Sequence, residues 1–461
     1  MSCLFPKPVL LALVLTGAMS FNLRGQTNFT ALTLLSSAKG AVPFGSLAAG
    51  PDGVLYGATA AGGISNAGTV FRLNPDGSGF STLMSFSVTN GAAPQAGLAL
   101  ASDGTLFGST YSGGISNFGT IFKLRTNGSG FQVLHSFTGG GDGQNPSGDP
   151  ILASNGAVYG VTYYANGSTR GTVYRIDQNG SNYSIVHTFT GTPDGQQPRG
   201  KLFPAADGML YGTTVFGGIS SQLGTIYKVS LDGSVYSMIH ALQNSTSEGR
   251  GPNAGVCQSS NGFLYGTVYN GGSSNVGAIF QVDTNGNNYT LVRSFQSTGG
   301  DGQNPDTELV ESSDGLLYGG TYAGGSGGGA LFEIKNDGTG YALLQAFSLS
   351  GNELNTPNSL IIGANGALYG TTRYGGGIGA GCIFALTASP LSPRITSFTV
   401  GASSNLVQFA GTCGISYDIL RSSDLYSWSP LAILIAPQNG SVTYTDSIPL
   451  NAPAFYRLHQ H

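Results

Sequence analysis

The sequence predicts an all-β protein: a seven-bladed β-propeller over residues 28–388, closed by an N-terminal strand, followed by a small C-terminal β-sandwich over residues 394–461. Three observations carry that prediction. An aromatic–glycine pair returns seven times, at Tyr56-Gly57, Phe107-Gly108, Tyr159-Gly160, Tyr211-Gly212, Tyr265-Gly266, Tyr318-Gly319 and Tyr369-Gly370, with spacings of 51, 52, 52, 54, 53 and 51 residues. Each pair follows a turn ending in glycine, such as Asp52-Gly53, Asn155-Gly156 or Asp314-Gly315. The first and last copies are complementary in strand content, so the array closes on itself.

The second copy displays the unit. A short first strand of small residues and leucine spans 97–101, and the turn Asp103-Gly104 leads to a second strand over 106–111. Gly113-Gly114 opens a loop to a third strand over 120–124, and Asn127-Gly128 turns the chain into a fourth over 131–137. Asp-Gly and Asn-Gly accept positive φ at the central turn positions, which a tight hairpin requires. A four-stranded meander of about 50 residues is the signature of a propeller blade. The third strands are apolar on both faces, as in Ile121-Phe122 and Ile279-Phe280, so each sheet is covered on both sides. The glycine after each aromatic has no side chain to pack, which predicts a close approach to its backbone, here expected from the neighbouring blade.

Closure is read from the two ends of the array. The seventh copy stops after a third strand, over 382–386, and Pro390 and Pro393 follow in a linker over 389–393. A stretch matching a fourth strand, 29–35, precedes the first copy and aligns with 80–86. The N-terminal strand is therefore expected to complete the last blade, which removes exposed sheet edges.

Composition narrows the setting. With 75 Gly, 22 Tyr and 24 Phe but only 9% charged residues, the chain reads as strands between many turns and not as disorder. A net charge of −4 with no basic run argues against nucleic acid as a partner. Lys7, the apolar run 9–15 and the small residues Ala18 and Ser20 predict a signal peptide over residues 1–20, with cleavage as late as residue 26. No later segment is apolar enough to cross a bilayer, so the mature protein is expected to be exported: periplasmic, on the cell surface or extracellular. Removal of Cys3 leaves Cys257, Cys382 and Cys413, an odd number. Cys257 aligns with Ala99 and Cys382 with Thr69, so both read as small buried residues.

In an up-down meander, the loop between strands two and three shares a face with the connection to the next blade. Departures between copies on that face are where function belongs. The connections include Asp142-Gly143-Gln144-Asn145-Pro146, Asp194-Gly195-Gln196-Gln197-Pro198 and Asp301-Gly302-Gln303-Asn304-Pro305. Second strands on the same face end in Tyr111, Tyr163, Tyr269 and Tyr322, and in Arg373 in the last copy. Carboxylates and amides beside aromatic rings suit sugar hydroxyls or a stacked ligand ring. Asp142, Gln144, Asn145, Asp194, Gln196, Asp301, Gln303 and Asn304, with the four tyrosines, are thus candidate ligand residues. The same residue types also shape turns, so a structural role stands beside the ligand one. His135, His187 and His240 share a position that holds Met84, Arg293 or Gln345 in other copies, which reads as a packing site. No nucleophile–base–orienter set can be assembled, and no catalytic residue, metal site or cofactor is expected.

The unit Asp314-Gly315-Leu316-Leu317-Tyr318-Gly319-Gly320-Thr321-Tyr322-Ala323-Gly324-Gly325, continuing to Ala330-Leu331-Phe332-Glu333-Ile334, closely resembles the GloVer tandem repeat. That repeat characterises a family of exported bacterial choice-of-anchor proteins, and the resemblance covers residues 28–386. It implies export and surface attachment through a variable C-terminal anchor; it supplies no catalytic residues. The C-terminal segment departs from the anchored form, ending in Phe455-Tyr456-Arg457 and a polar tail without a terminal apolar helix. Strands are expected there at 395–400, 406–410, 416–421, 442–445 and 455–458, with Trp428 as core anchor. The leading functional expectation is a non-enzymatic exported propeller that binds a polysaccharide or a cell-surface protein. A carbohydrate-active hydrolase or lyase with an axial site, and a structural or adhesive surface component, are the alternatives.

Overall fold

Among the described residues, seven sheets of four or five antiparallel strands succeed one another through the unit Thr27–Thr387. The computed structural model describes residues 27–460 apart from 168–169, 220–222, 244, 313–314, 350–353, 377, 389–393, 401–403, 411–415, 424–426, 436–440 and 448–454. The predicted signal peptide and linker, Asp314 and Cys413 lie outside the described residues. The described residues contain strands and turns and no helix.

The second sheet shows the common plan: Ala99–Leu100, Thr105–Thr110, Thr120–Arg125 and Gln132–Ser136 pair in sequence order. The seventh breaks that order as expected. Its strands run Asn355–Ile362, Leu368–Tyr374, Cys382–Ala388 and then Thr27–Leu34, so the N-terminal strand supplies the missing edge. Leu35 N–H donates to Gly381 O at 3.0 Å, the counterpart of Phe86 N–H to Gly68 O at 2.9 Å and Phe137 N–H to Gly119 O at 3.0 Å. Phe29 packs between Phe347 and Phe384, with ring centroids 5.5 and 5.2 Å away.

One contact recurs in every sheet. An aromatic of the third strand faces the glycine of the second: Phe71 opposite Gly57, Phe122 opposite Gly108, Tyr174 opposite Gly160, Tyr227 opposite Gly212. Phe280, Phe332 and Phe384 face Gly266, Gly319 and Gly370 in the same way. A Cβ on Gly57 would stand 2.5 Å from the Phe71 ring and 2.8 Å from Leu47. The close approach predicted for these glycines is real, but it comes from the sheet's own third strand and not from the neighbouring sheet. The reason is register: cross-strand partners are nearer than any residue of a stacked sheet. The aromatic then carries the packing outward, as Phe122 does on Phe86 of the first sheet at 5.0 Å. In six sheets the ladder to the fourth strand slips beside this aromatic, for example between Ile121 and Phe122, a bulge that adds twist.

Between consecutive sheets lie buried apolar clusters. Val70, Phe86, Leu106 and Phe122 join the first to the second, and Leu331, Phe347, Leu368 and Phe384 join the sixth to the seventh. Leu35, Leu47, Phe71, Tyr369 and Ile383 join the seventh back to the first. The arrangement is propeller-like.

The second unit, from Ala388 onward, holds two three-stranded sheets. Arg394–Val400, Asn405–Ala410 and Ser441–Asp446 form one; Ser429–Ile435, Ser416–Ser422 and Phe455–Gln460 form the other. Phe409, Tyr417, Ile419 and Val442 pack together between them. Ser429–Ile435 is a strand the sequence did not announce, because Leu-Ala-Ile-Leu-Ile lacks alternation; Ile433 and Ile435 remain exposed on it. Trp428 is half-buried and not in the core: it precedes this edge strand, with the Arg457 guanidinium 4.6 Å from its ring.

If the N-terminal strand closes the array, Phe29→Ala should cost about 2 kcal/mol, below the range for a fully buried phenylalanine because Phe29 is half-buried. Deleting residues 28–36 should give aggregate or a much lower Tm. An unchanged thermal melt for either variant contradicts closure.

Candidate functional site

Each sheet is entered through a proline: Pro43, Pro94, Pro146, Pro198, Pro252, Pro305 and Pro357. The residue before it is left-handed in every case: Val42 (φ 58°), Ala93 (51°), Asn145 (57°), Gln197 (58°), Gly251 (63°), Asn304 (55°) and Thr356 (57°). Positive φ disfavours side chains in general and β-branched ones most, so Val42 and Thr356 show that the fold imposes this kink. Main-chain bonds hold it, such as Asn145 N–H to Phe118 O at 2.8 Å and Gln197 N–H to Arg170 O at 3.1 Å. Asn145 and Asn304 add side-chain donors, to Tyr111 O at 2.8 Å and Tyr269 O at 2.9 Å.

The kink aims the following residues at one place. Phe44, Gln95, Ser147, Arg199, Asn253, Asp306 and Asn358, each directly after its proline, line one cavity of about 270 Å³. Asp149, Lys201 and Glu308, two places further on, line it too, as do Tyr111, Tyr163 and Arg373 from the second strands. Residues from all seven sheets meet there, so the cavity is an axial funnel.

Charge is concentrated in the funnel. Asp306 lies 4.0 Å from Arg199 and 3.7 Å from Arg373, both longer than a charge-assisted hydrogen bond. Arg373 Nη2 donates to Asn358 Oδ1 at 2.7 Å, and its guanidinium sits 4.3 Å from the Phe44 ring centroid. Burial pulls the Arg373 pKa down from the usual guanidinium value, while Asp306 works against that shift. Asp149 accepts from the main-chain N–H groups of Ser46 at 3.3 Å and Gly97 at 2.5 Å; Glu308 accepts from Lys201 N–H at 2.8 Å. Asp149 thereby ties the third sheet to the second and the first, and Glu308 ties the sixth to the fourth. Burial pushes Glu308 up, to about 7, with Asp149 adding to the rise and Lys201 opposing it.

The sequence-derived residues fall in three places. Tyr111 and Tyr163 line the funnel. Tyr269 lines a neighbouring depression with Phe216 and Asn253, and its ring lies 6.2 Å from that of the exposed Tyr322. Asp142, Asp194 and Asp301 stand elsewhere, in clasps between consecutive sheets. His135 stacks on Tyr183 at 3.8 Å and meets Asp142 at 3.2 Å. His187 stacks on Tyr236 at 3.7 Å and meets Asp194 at 3.2 Å. Arg293 lies 3.4 Å over Tyr341 and donates to Asp301 at 2.7 Å; His240, Tyr289 and Glu248 repeat the pattern. Burial holds the His135 pKa below its ordinary value despite Asp142. For Asp194, burial opposes ionisation, but bonds from His187 and Tyr236 outweigh it and hold the carboxyl below its usual range. The shared histidine position is thus a packing position. Gln144, Gln196 and Gln303 pair with the ends of second strands, opposite Tyr164, Phe216 and Ala323.

Arg199, Asp306 and Asn358 were not singled out from sequence. A signal existed: each stands directly after a proline common to all seven copies, at a position where the copies differ in chemistry. Cys257 and Cys382 pair with Tyr265 and Thr372, as Ala99 and Thr69 pair with Phe107 and Thr59. Burial pushes both thiols up to about 12, which leaves them protonated and unreactive at neutral pH. Among the described residues no group of three or more His, Cys, Asp or Glu is placed to hold a metal ion.

The sequence matches the Gloeobacter/Verrucomicrobia repeat over residues 17–172 and 146–384. No curated protein matches it. Among solved structures, PorZ, a surface component of the type-IX secretion system of Porphyromonas gingivalis, is 12% identical with a TM-score of 0.51, covering 91% of this chain and 59% of its own. The extracellular domain of a hybrid two-component system from B. thetaiotaomicron is 11% identical (TM-score 0.51), over 95% of this chain and 59% of that one. A GH74 xyloglucanase from Xanthomonas campestris is 13% identical (TM-score 0.50), over 84% and 60%. The chain spans about three fifths of each of these proteins. The likeness is one of fold.

The raised Glu308 pKa sets a pH dependence. The folded state holds this proton more tightly than the unfolded chain, so stability from this group is greatest below the ordinary glutamate value of 4.5 and declines as pH rises through about 7. Thermal melts between those values should show the Tm of the unmodified protein gaining on that of Glu308→Gln as pH falls, against an opposing loss common to both from His135. Equal slopes for the two proteins contradict the assignment.

Proposed function

The chain belongs to the Gloeobacter/Verrucomicrobia repeat family, and on that footing we propose that it is an exported, non-enzymatic protein that binds carbohydrate at the cell surface or outside the cell. In this reading residues 28–388 form a seven-bladed β-propeller closed by the N-terminal strand. A linker over 389–393 leads to a C-terminal β-sandwich over 394–461.

One contrast carries the binding function. The prolines and the left-handed conformation just before them recur because the geometry recurs, whereas the residues after them, which line the cavity, run Phe, Gln, Ser, Arg, Asn, Asp and Asn. A mouth that served only to close the ring would repeat with the ring. Amide, hydroxyl, guanidinium and carboxylate groups around a cavity of about 270 Å³, with Tyr111 and Tyr163 in its wall, match the mixed polar and aromatic chemistry by which sugars are held. Tyr269 and Tyr322 extend that platform beside the funnel. The clasp residues Asp142, Asp194 and Asp301, and Gln144, Asn145, Gln196, Gln303 and Asn304 near them, hold the loops that present it.

Export rests on the predicted leader, and the surface setting of PorZ and of the two-component extracellular domain accords with it. No helix among the described residues is long and apolar enough to cross a membrane. A hydrolase reading draws on Glu308, which keeps a proton near neutral pH with Asp149 acting on it. The main-chain bonds of both carboxyl groups favour a latch over an acid–base pair.

Probing an array of plant, fungal and bacterial polysaccharides with the purified protein tests the proposal. Binding to at least one polymer is expected, weakened tenfold or more (about 1.4 kcal/mol) by Tyr163→Ala or Arg199→Ala at unchanged Tm. Binding that ignores both substitutions removes the funnel from the account, and release of reducing sugar favours the hydrolase.

A further inference from the structure

Six of the seven left-handed positions before the prolines carry a side chain; the other, at the entry to the fifth sheet, is Gly251. Its φ of 63° is close to that of Val42 (58°), Asn145 (57°), Gln197 (58°) and Thr356 (57°), so the backbone does not call for glycine there. Elsewhere the side chain fills the boundary between two sheets. Asn145 Nδ2 donates to Tyr111 O at 2.8 Å, Asn304 Nδ2 donates to Tyr269 O at 2.9 Å, and Gln197 and Thr356 are buried. At Gly251 the boundary stays open. Among the described residues, a Cβ would have one heavy atom within 4 Å apart from its chain neighbours, Tyr269 Cβ at 3.9 Å.

The space left by the missing side chain is the depression beside the funnel, about 240 Å³ in volume. Val215, Phe216 and Tyr269 give it an apolar lining, and Phe216 is 43% exposed. Arg250, Asn253 and Asn270 bring polar groups to the same hollow. Arg250 pairs with Asn270 along a short ladder, and its Nη2 donates to Asn275 Oδ1 at 3.4 Å. Asn253 lines the funnel as well, so the two hollows meet at one side chain.

An accessible aromatic wall beside amide and guanidinium groups suits a pyranose ring, whose C–H face is apolar and whose hydroxyls both donate and accept. We infer that the depression is a second sugar subsite, continuous with the funnel through Asn253, so that successive parts of one polysaccharide chain are held at once; this rests on the carbohydrate reading of the funnel. Filling two joined subsites with one chain makes the second contact intramolecular, and affinity then grows with chain length. The subsite exists because one copy of the repeat leaves out a side chain that the fold accepts in the others.

Isothermal titration of the full protein with the biose and the hexaose of the cello-, manno-, xylo- and galacturonate series tests the inference. In at least one series the hexaose should bind tenfold or more tightly than the biose. Gly251→Asn puts into the depression the side chain that Asn145 and Asn304 supply at their own boundaries. It should remove the hexaose gain and leave the biose affinity and the Tm unchanged. Phe216→Ala, a change at an exposed ring, gives a second reading if Gly251→Asn lowers the Tm, with the same loss expected. Arg199→Ala should weaken both lengths alike, because the funnel holds either. A hexaose gain that survives both Gly251→Asn and Phe216→Ala overturns the subsite, as does equal affinity for biose and hexaose in every series that binds; both results leave the carbohydrate reading intact. Binding of no sugar in any series overturns the subsite together with that reading.

Discussion

An aromatic ring laid on a bare glycine is the contact on which the rest of the molecule depends. Phe71 on Gly57 and its six counterparts place a large apolar group in the middle of each sheet, where a side chain on the second strand would collide with it. The glycine gives up its own packing so that the third-strand aromatic can lie low across the ladder and still reach the preceding sheet. Phe122 shows both ends of this, opposite Gly108 in its own sheet and 5.0 Å from Phe86 in the first. Sheet pairing and sheet stacking are thereby fixed by one residue pair. Repeated through the array, the pair makes each sheet a fair template for the next, and the N-terminal strand completes the series with bonds of the same kind.

Around this scaffold the polar residues do two different jobs. On the connections between sheets, a carboxylate grips a histidine or arginine that lies flat on a tyrosine of the next sheet, as in Asp142, His135 and Tyr183. Such stacked and hydrogen-bonded sets resist sliding of one sheet over another. At the funnel, polar residues of all seven sheets converge, and Asp306 is held at arm's length by two arginines. Two acids of the funnel lining, Asp149 and Glu308, bond to main-chain amides and mark where scaffold gives way to mouth.

The fold was largely legible because turn chemistry and the aromatic–glycine pair repeat in register, and repetition converts weak local signals into strong ones. The order of the strands, the supply of the last one by residues 27–34 and the packing role of His135, His187 and His240 followed from that pattern. The candidate site was legible only in part. Tyr111 and Tyr163 were found from their place at the ends of second strands. Asp142, Asp194 and Asp301 drew attention because they recur, yet recurrence is what a structural role produces; their partners lie across a sheet boundary invisible in sequence. Arg199, Asp306 and Asn358 look unremarkable one at a time, and only the left-handed turn before each proline shows that they point to a common axis. Trp428 misled for a related reason: its size suggests a core, but it precedes an edge strand.

What the fold repeats is scaffold, and what it declines to repeat is the ligand surface. A crystal structure of the protein soaked with an oligosaccharide that it binds tests that claim most directly. The account predicts sugar density in the axial funnel, against Tyr111, Tyr163 and Arg199. Density confined to the hairpin-turn face, or to the clasps at Asp142, Asp194 and Asp301, would contradict it.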